Sequence, residues 1–449
     1  MRKSSDASNS DTQRGRLVAA LLGGAWRTAS SAPNLSETEL AEITPLLCQT
    51  GSAALGWWRI RHSTFASSPA GLQLHEAYRQ FRLSALIHER EIKYILSLLR
   101  DAGIEPVLVK GWAIARLYPD RGLRPYGDID ICVRPDQFAK AAGALKYLES
   151  IDGHYVDLHS GFAKLELATR FSARCQRPPR VSSEPGCQET HRRGAESREV
   201  WPRKPFSQLA RVFRVSPLVG SLLDGKSPTE IGSLNAALWD ELFERSQLVS
   251  LGEDKIRVLG DEDHLRILCL HLLRSGAWRP LWLCDVALAL ETLAADFDWE
   301  RCLGSDPKIA EWVVCTIALA QQLLGADPGA KGIEQRTKDS AESADVPSAL
   351  GAQRELPRWL APAILRQWGR SLNPHVIEPA LSALSAQMHE PGKFFAEVFA
   401  RWDQPVRSTV ALSGRFNNWP RWPYQLTELL LRSPEVPKQL ARMFAQRTD

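Results

Sequence analysis

No stretch of this 449-residue chain approaches the length and apolarity of a membrane span, so neither a transmembrane helix nor a membrane partner is expected. The eight cysteines include no Cys-x-x-Cys pair and no framework spacing, which argues against a disulfide scaffold. Cys132, Cys269 and Cys284 fall inside apolar runs and read as reduced, buried thiols. An excess of charge of either sign is also missing. The net charge is only +4, so the chain as a whole does not advertise nucleic-acid binding. The N-terminal run Met-Arg-Lys-Ser-Ser-Asp has no apolar h-region, so no signal peptide is expected, and the thiol usage agrees with a cytoplasmic location. Charged and apolar fractions are ordinary for a globular chain, and the length predicts two or three domains.

Against that plain background the run Gly127-Asp128-Ile129-Asp130-Ile131-Cys132-Val133 stands out. Side chains alternate faces along a strand, so Asp128 and Asp130 point the same way while Ile129, Ile131 and Val133 point into a core. Their Cα atoms are then roughly 6–7 Å apart. Two like charges that close are costly without a cation, and Mg²⁺ is the hard ion that prefers carboxylate oxygens and phosphates.

The surroundings supply a use for such an ion. Upstream, Glu105-Pro-Val-Leu-Val-Lys110-Gly111-Trp112-Ala-Ile-Ala-Arg-Leu-Tyr118-Pro119 reads as a short apolar strand, a Lys-Gly turn and a helix stopped by proline. Glycine permits close backbone approach, and the amides that open a helix attract anions. A basic loop carrying Arg124 returns the chain to the Asp-Ile-Asp strand. Downstream, His154-Tyr-Val-Asp157-Leu-His159 reads as a second alternating strand. If it pairs beside the first, Asp157 becomes a third carboxylate, with Asp152 as a nearby rival. Three carboxylates around two Mg²⁺ ions, about 3.5–4 Å apart, suit in-line phosphoryl or nucleotidyl transfer.

Lys110-Gly111, Arg124, Asp128-Ile-Asp130 and Val156-Asp157-Leu-His159 together resemble the polymerase-β-type nucleotidyltransferase superfamily, within it the group called uncharacterised nucleotidyltransferases. The resemblance runs from about residue 75 to 300 and loosely to 430. It implies an α+β fold, with a small mixed β-sheet core embedded in a mostly helical chain. It implies transfer of a nucleoside monophosphate from an NTP to a hydroxyl or phosphate, with Mg²⁺ or Mn²⁺ as cofactor. Asp128, Asp130 and Asp157 would be catalytic metal ligands, and Lys110, Gly111 and Arg124 would contact the nucleotide, Arg124 alternatively bracing the Asp strand. The acceptor, whether small molecule, RNA or protein, stays open. So do a non-catalytic binding or regulatory role and a protein-modifying, toxin-type role. Two departures accompany the likeness. The superfamily's usual turn is Gly-Ser, and Asp130 to Asp157 leaves room for one helix and one strand where relatives often fit an extra strand.

Along the chain, residues 1–14 read as a disordered tail and 15–103 as helices. Ser36-Glu-Thr-Glu39 is a capping box, and Leu72–Leu99 is a long amphipathic helix ending at Gly103. The sheet unit occupies 104–171. A basic insertion or linker at 172–206 is rich in Pro, Ser, Gly and Arg, and its Cys175, Cys187 and His191 lack a fourth zinc ligand. Residues 207–324 read as a helical domain, 325–354 as a loose linker and 355–449 as a helical C-terminal segment. His264 and His271 are two turns apart on one helix, about 10 Å along its axis, too far to share a metal. Asp285, in an apolar helix, needs a partner, and His271 is the candidate. Trp278, Trp282 and Trp299 read as bundle packing, and Trp112 as helix packing beside the Lys-Gly turn.

Overall fold

The computed structural model describes residues 2–28, 33–146, 156–162, 228–294, 296–328, 355–370 and 404–432. Asp152, the insertion 172–206 with Cys175, Cys187 and His191, and most of 325–354 lie outside the described residues. Four helices come first: α1 (Arg2–Leu22), α2 (Glu37–Thr50), α3 (Ala53–Ile60) and α4 (Pro69–Asp101). Then come β1 (Val107–Leu108), α5 (Gly111–Ala115), β2 (Ile129–Val133), α6 (Phe138–Ala144) and β3 (Val156–Ser160). Helix α7 (Pro228–Glu244) leads into β4 (Gln247–Leu251) and β5 (Asp254–Val258). The remaining described elements are α8 (Asp261–Arg274), α9 (Pro280–Glu291), α10 (Trp299–Leu303), α11 (Pro307–Leu324), α12 (Leu360–Trp368), α13 (Pro405–Ala411) and α14 (Trp422–Arg432). No described helix is long and apolar enough to cross a membrane.

The architecture is α+β, with a five-stranded mixed sheet in the order β3-β2-β1-β5-β4. The strand β1 runs antiparallel to β2 and parallel to β5, and β2 runs parallel to β3. Two of the five strands thus come from the stretch expected to be helical. The β4–β5 hairpin has polar and apolar residues alternating through Gln247-Leu-Val-Ser-Leu. Its two-residue connection is Gly252-Glu253, with Gly252 at φ 63°, a conformation a hairpin turn needs and other residues resist.

The sheet separates two apolar layers. Ile129, Ile131 and Val133 join Ile92, Ile95, Leu99 and Ala141, from α4 and α6, on one face. Cys132, Val107 and Val109 join the large helical core, which includes Leu268 and Leu272 of α8 and Leu281 and Leu283 of α9. Strand alternation therefore turns Asp130, like Cys132, toward the helical half.

Helix α4 follows the expected span, with Ser68 accepting from the Gly71 amide at its start. Of the apolar residues that signalled it, Ile95 and Leu99 are buried, whereas Leu83, Leu86, Ile87 and Tyr94 are each about half exposed or more (49–60%). Ala70 and Leu74 near its start belong to the helical core, and Ile92 to Leu99 near its end belong to the sheet core. The exposed middle spans the gap between the two. The capping box on α2 is present in both directions between Ser36 and Glu39.

The expected disordered tail is instead most of α1. Tertiary contacts override its polar composition. Asp11 accepts from Arg370, Arg14 donates to the Gly369 carbonyl, and Leu17, Val18, Leu21 and Leu22 enter the core. A Cβ on Gly15 would overlap the Leu365 carbonyl, and one on Gly369 the Asp11 carbonyl, so α1 and the end of α12 approach through glycine. Asp285 also departs from expectation. Its partners are Arg124 and Tyr118, while His271 packs edge-on against Trp282.

Candidate active site

The site begins where β1 ends. The Val109 amide donates to the Asp130 carbonyl, extending the β1–β2 pairing by one bond. The next residue, Lys110, has φ 51° and ψ −130°, a conformation that costs a non-glycine residue strain. That backbone turn opens α5, whose five residues are all buried, Trp112 among them. Trp112 is therefore a packing residue with no face for a base. Gly111 lies against β2, where a Cβ would sit 3.4 Å from the Asp128 carbonyl. The Lys110 side chain turns to the sheet, and its Nζ is 3.4 Å from Asp130 Oδ1.

Parallel pairing of β2 with β3 sets Asp130 opposite Asp157 and Cys132 opposite His159. Paired residues, and residues two apart, share a face, so Asp130, Asp157 and His159 converge. His159 Nε2 lies 3.2 Å from Asp130 Oδ1 and 3.5 Å from Asp157 Oδ2. One ligand atom from each of the three lies within 4.8 Å of the others. Asp130 is 14% exposed and His159 11%, whereas Asp157 is 61% exposed, so the cluster opens to solvent on the Asp157 side. Two carboxylate oxygens and an imidazole nitrogen at this separation are a donor set that fits one divalent cation. Asp128 precedes the strand and is exposed; it neighbours the cluster electrostatically without belonging to that set.

The two acids of the Asp-x-Asp run are tuned apart. Crowding by the surrounding protein, then repulsion from Asp130 and Asp157, raises Asp128 toward about 6, against the pull of Lys110 and Arg279, and water at its exposed side chain limits that rise. Burial also pushes Asp130 upward, but Lys110 and the hydrogen-bonded His159 outweigh it and hold that carboxyl well below the usual range.

The helical half contributes cations. Arg279, just before α9, donates from Nε to the Thr50 carbonyl at 2.9 Å, and its guanidinium lies 5.3–5.5 Å from the ring centres of Trp278 and Trp282. Burial, then the neighbouring Arg124, lowers it to about 10, and Asp128 and Asp285 are the acids that offset this. Burial, then Lys110, drives His271 down to about 3, so this imidazole beside the site is neutral. Arg124 is buried, and its guanidinium is committed to Asp285, with contacts of 2.9 and 3.2 Å to Oδ2 and 3.3 Å to Oδ1. Tyr118 Oη donates to the same carboxylate at 2.9 Å. Of the two roles expected for Arg124, this placement favours the brace over a phosphate contact. An additional cavity of about 160 Å³, lined by Arg116, Gln247, Asp261, His264 and Thr292 among others, includes none of the candidate site residues.

The sequence model of a family described as "Uncharacterised nucleotidyltransferase" matches residues 36–180 and 206–325, more than half of the chain. The chain belongs to the uncharacterised nucleotidyltransferase family. Membership supports nucleotidyl transfer as the general activity and a nucleotide as a substrate. No curated protein and no solved structure matches the chain.

For this uncharacterised nucleotidyltransferase, the structure brings Lys110, Gly111, Asp128, Asp130 and Asp157 to one end of the sheet and leaves Arg124 behind them. Two residues at the site were not among the expected ones. His159 carried a readable signal, since Asp-x-His on a strand puts both side chains on one face. Arg279 carried none, because nothing local distinguishes it from a helix-capping arginine.

Proposed function

We propose that the protein transfers a nucleoside monophosphate from an NTP to an oxygen of an acceptor, with Asp130, Asp157 and His159 holding a divalent metal. The observation that carries this reading is the parallel register of Asp130 with Asp157, which gathers three ligand atoms within 4.8 Å on the face turned to the helical half. The bound metal would neutralise phosphate charge and fix in-line geometry. The acceptor oxygen attacks the α-phosphorus, and the bond to the bridging oxygen of the β-phosphate breaks. Pyrophosphate leaves with that electron pair. Asp128, beside the cluster and outside its ligand set, is the carboxylate we assign to take the acceptor's proton. Lys110 and Arg279 supply positive charge for the triphosphate, and the Gly111 backbone lies beside Lys110 at the turn. Arg124 holds the Asp strand from behind through Asp285.

The protein incubated with α-labelled NTPs, Mn²⁺ or Mg²⁺ and fractionated cell extract should pass label to one acceptor class and release pyrophosphate. Asp130→Asn and Asp157→Asn should each lower the transfer by roughly 10²-fold or more, the scale of losing one preorganised charge. Transfer surviving both changes would overturn the reading. A non-catalytic nucleotide-binding role is the second reading, favoured by the Lys110–Asp130 ion pair, which already neutralises a metal ligand. Metal-dependent NTP binding without transfer to any fraction would select it.

A further inference from the structure

We infer that the site prefers a first-row transition divalent cation such as Mn²⁺ to Mg²⁺, because His159 enters the coordination sphere through Nε2. The inference rests on the metal-binding part of the reading above and goes beyond it by naming the class of ion.

The spacing is already that of a coordination shell. Ligand atoms about 2.1–2.2 Å from an octahedral ion lie about 3 Å from one another along an edge. His159 Nε2 stands 3.2 Å from Asp130 Oδ1 and 3.5 Å from Asp157 Oδ2, close to two such edges. His159 Nε2 is thus already at ligand-to-ligand distance from both carboxylates. The strand register sets this spacing, since Asp130 pairs with Asp157 and His159 lies two residues further along β3 on the same face.

Chemistry then selects the ion. Mg²⁺ takes oxygen ligands and gives up its waters reluctantly, whereas imidazole nitrogen binds increasingly well along the first transition row. Two carboxylates alone would suit Mg²⁺. Replacing a third carboxylate by an imidazole removes one unit of negative charge and one hard donor. Lys110 works in the same direction. Its ammonium, 3.4 Å from Asp130 Oδ1, weakens the field offered to any incoming cation. Mg²⁺, bound mainly by charge, loses more from that competition than an ion that also gains a nitrogen bond.

The bland alternative is that His159 only donates a hydrogen bond to Asp130 and never ligates. Pulsed electron paramagnetic resonance on Mn²⁺ separates the two. Full-length protein freed of metal by chelation is loaded with Mn²⁺, and the bound ion is examined for coupling to a directly ligated ¹⁴N. A nitrogen coupling is expected in the wild type. In His159→Gln the coupling should vanish, and Mn²⁺ affinity should fall about ten-fold or more, a loss that even outer-shell partners of a ligand incur. Mg²⁺ affinity, read by competition, should change far less, so the Mn²⁺/Mg²⁺ preference collapses. Bound Mn²⁺ without nitrogen coupling, or an unchanged preference in His159→Gln, would overturn the inference and remove His159 from the metal's ligands, while nucleotidyl transfer on a metal held by Asp130 and Asp157 would stand. Binding of neither ion, with or without NTP, would remove that reading and this inference with it. The wild-type spectrum needs no variant, so a misfolded His159→Gln does not blunt the test.

Discussion

Arg124→Met should destabilise the protein by about 3–5 kcal/mol, the range seen when one member of a buried ion pair is removed. Asp285 is 1% exposed and Arg124 8%, so water cannot replace the lost guanidinium. At an effective dielectric near 20, two unit charges about 4 Å apart attract by about 4 kcal/mol, which agrees with that range. The hydrogen bond from Tyr118 Oη would remain, but that bond already exists in the wild type, so its roughly 1.5–3 kcal/mol does not offset the lost guanidinium. The loss is therefore a large part of the roughly 5–15 kcal/mol that holds a domain together. Denaturant midpoints followed by tryptophan fluorescence would measure it. The control is Arg124→Met with Asp285→Leu, which removes both charges and should recover most of the loss, since a buried pair replaced by apolar residues is often nearly neutral. A single change costing under about 1 kcal/mol, or a double variant no better than the single, would refute the brace. The same proteins test the other role once assigned to Arg124. A residue that only braces leaves NTP affinity of the folded double variant within a few-fold of wild type. A phosphate contact would cost ten-fold or more, about 1.4 kcal/mol.

At position 110 the usual order of alanine over glycine should reverse. Lys110→Gly relieves the φ 51° conformation and Lys110→Ala does not, so the glycine variant should be more stable by roughly 1 kcal/mol; alanine proving the more stable would deny the strain. His264 sets a pH dependence: burial, then Arg116 and Arg124, drops it to about 3, and its Nε2 is buried with no protein partner among the described residues. Between about 3 and 6.5 the unfolded chain holds the extra proton, so stability is full above 6.5 and falls with pH, by up to about 1.4 kcal/mol per unit from this group. His264→Leu should flatten that slope in denaturation at pH 7.5 and 5.5, and equal slopes would count against it.

The features legible in the sequence are the ones written locally. Alternation around Asp130 gave a strand, the Lys-Gly and Pro119 punctuation gave the turn and helix, and a second alternating run gave a partner strand carrying Asp157. What the sequence hid depends on contacts distant along the chain. The pairing of β1 with β5 joins Leu108 to Val258, and no local pattern specifies it. The same is true of Asp285, whose neighbours in α9 are apolar and whose partners come from the loop after α5. A polar N-terminal stretch reads as disordered because the residues that hold it, around Gly369 and Arg370, lie at the far end of the chain.

The same physics that makes Asp-x-Asp conspicuous also divides its labour. Asp128, just before β2, and Asp130, within it, are two residues apart, yet their surroundings push them in opposite directions. Lys110 and His159 overcome the burial of Asp130 and keep it ionised, which makes it a permanent anion for a cation to meet. Asp128 feels the same Lys110, but no histidine bonds to it as His159 does to Asp130, and crowding with repulsion from Asp130 and Asp157 raises it instead. Carboxylates whose environments separate them in this way fit the division proposed for this site, one as ligand and one as proton acceptor. A site built only for solubility would have no reason to bury Asp130, pair it with a strained lysine and set a histidine against it from the adjoining strand.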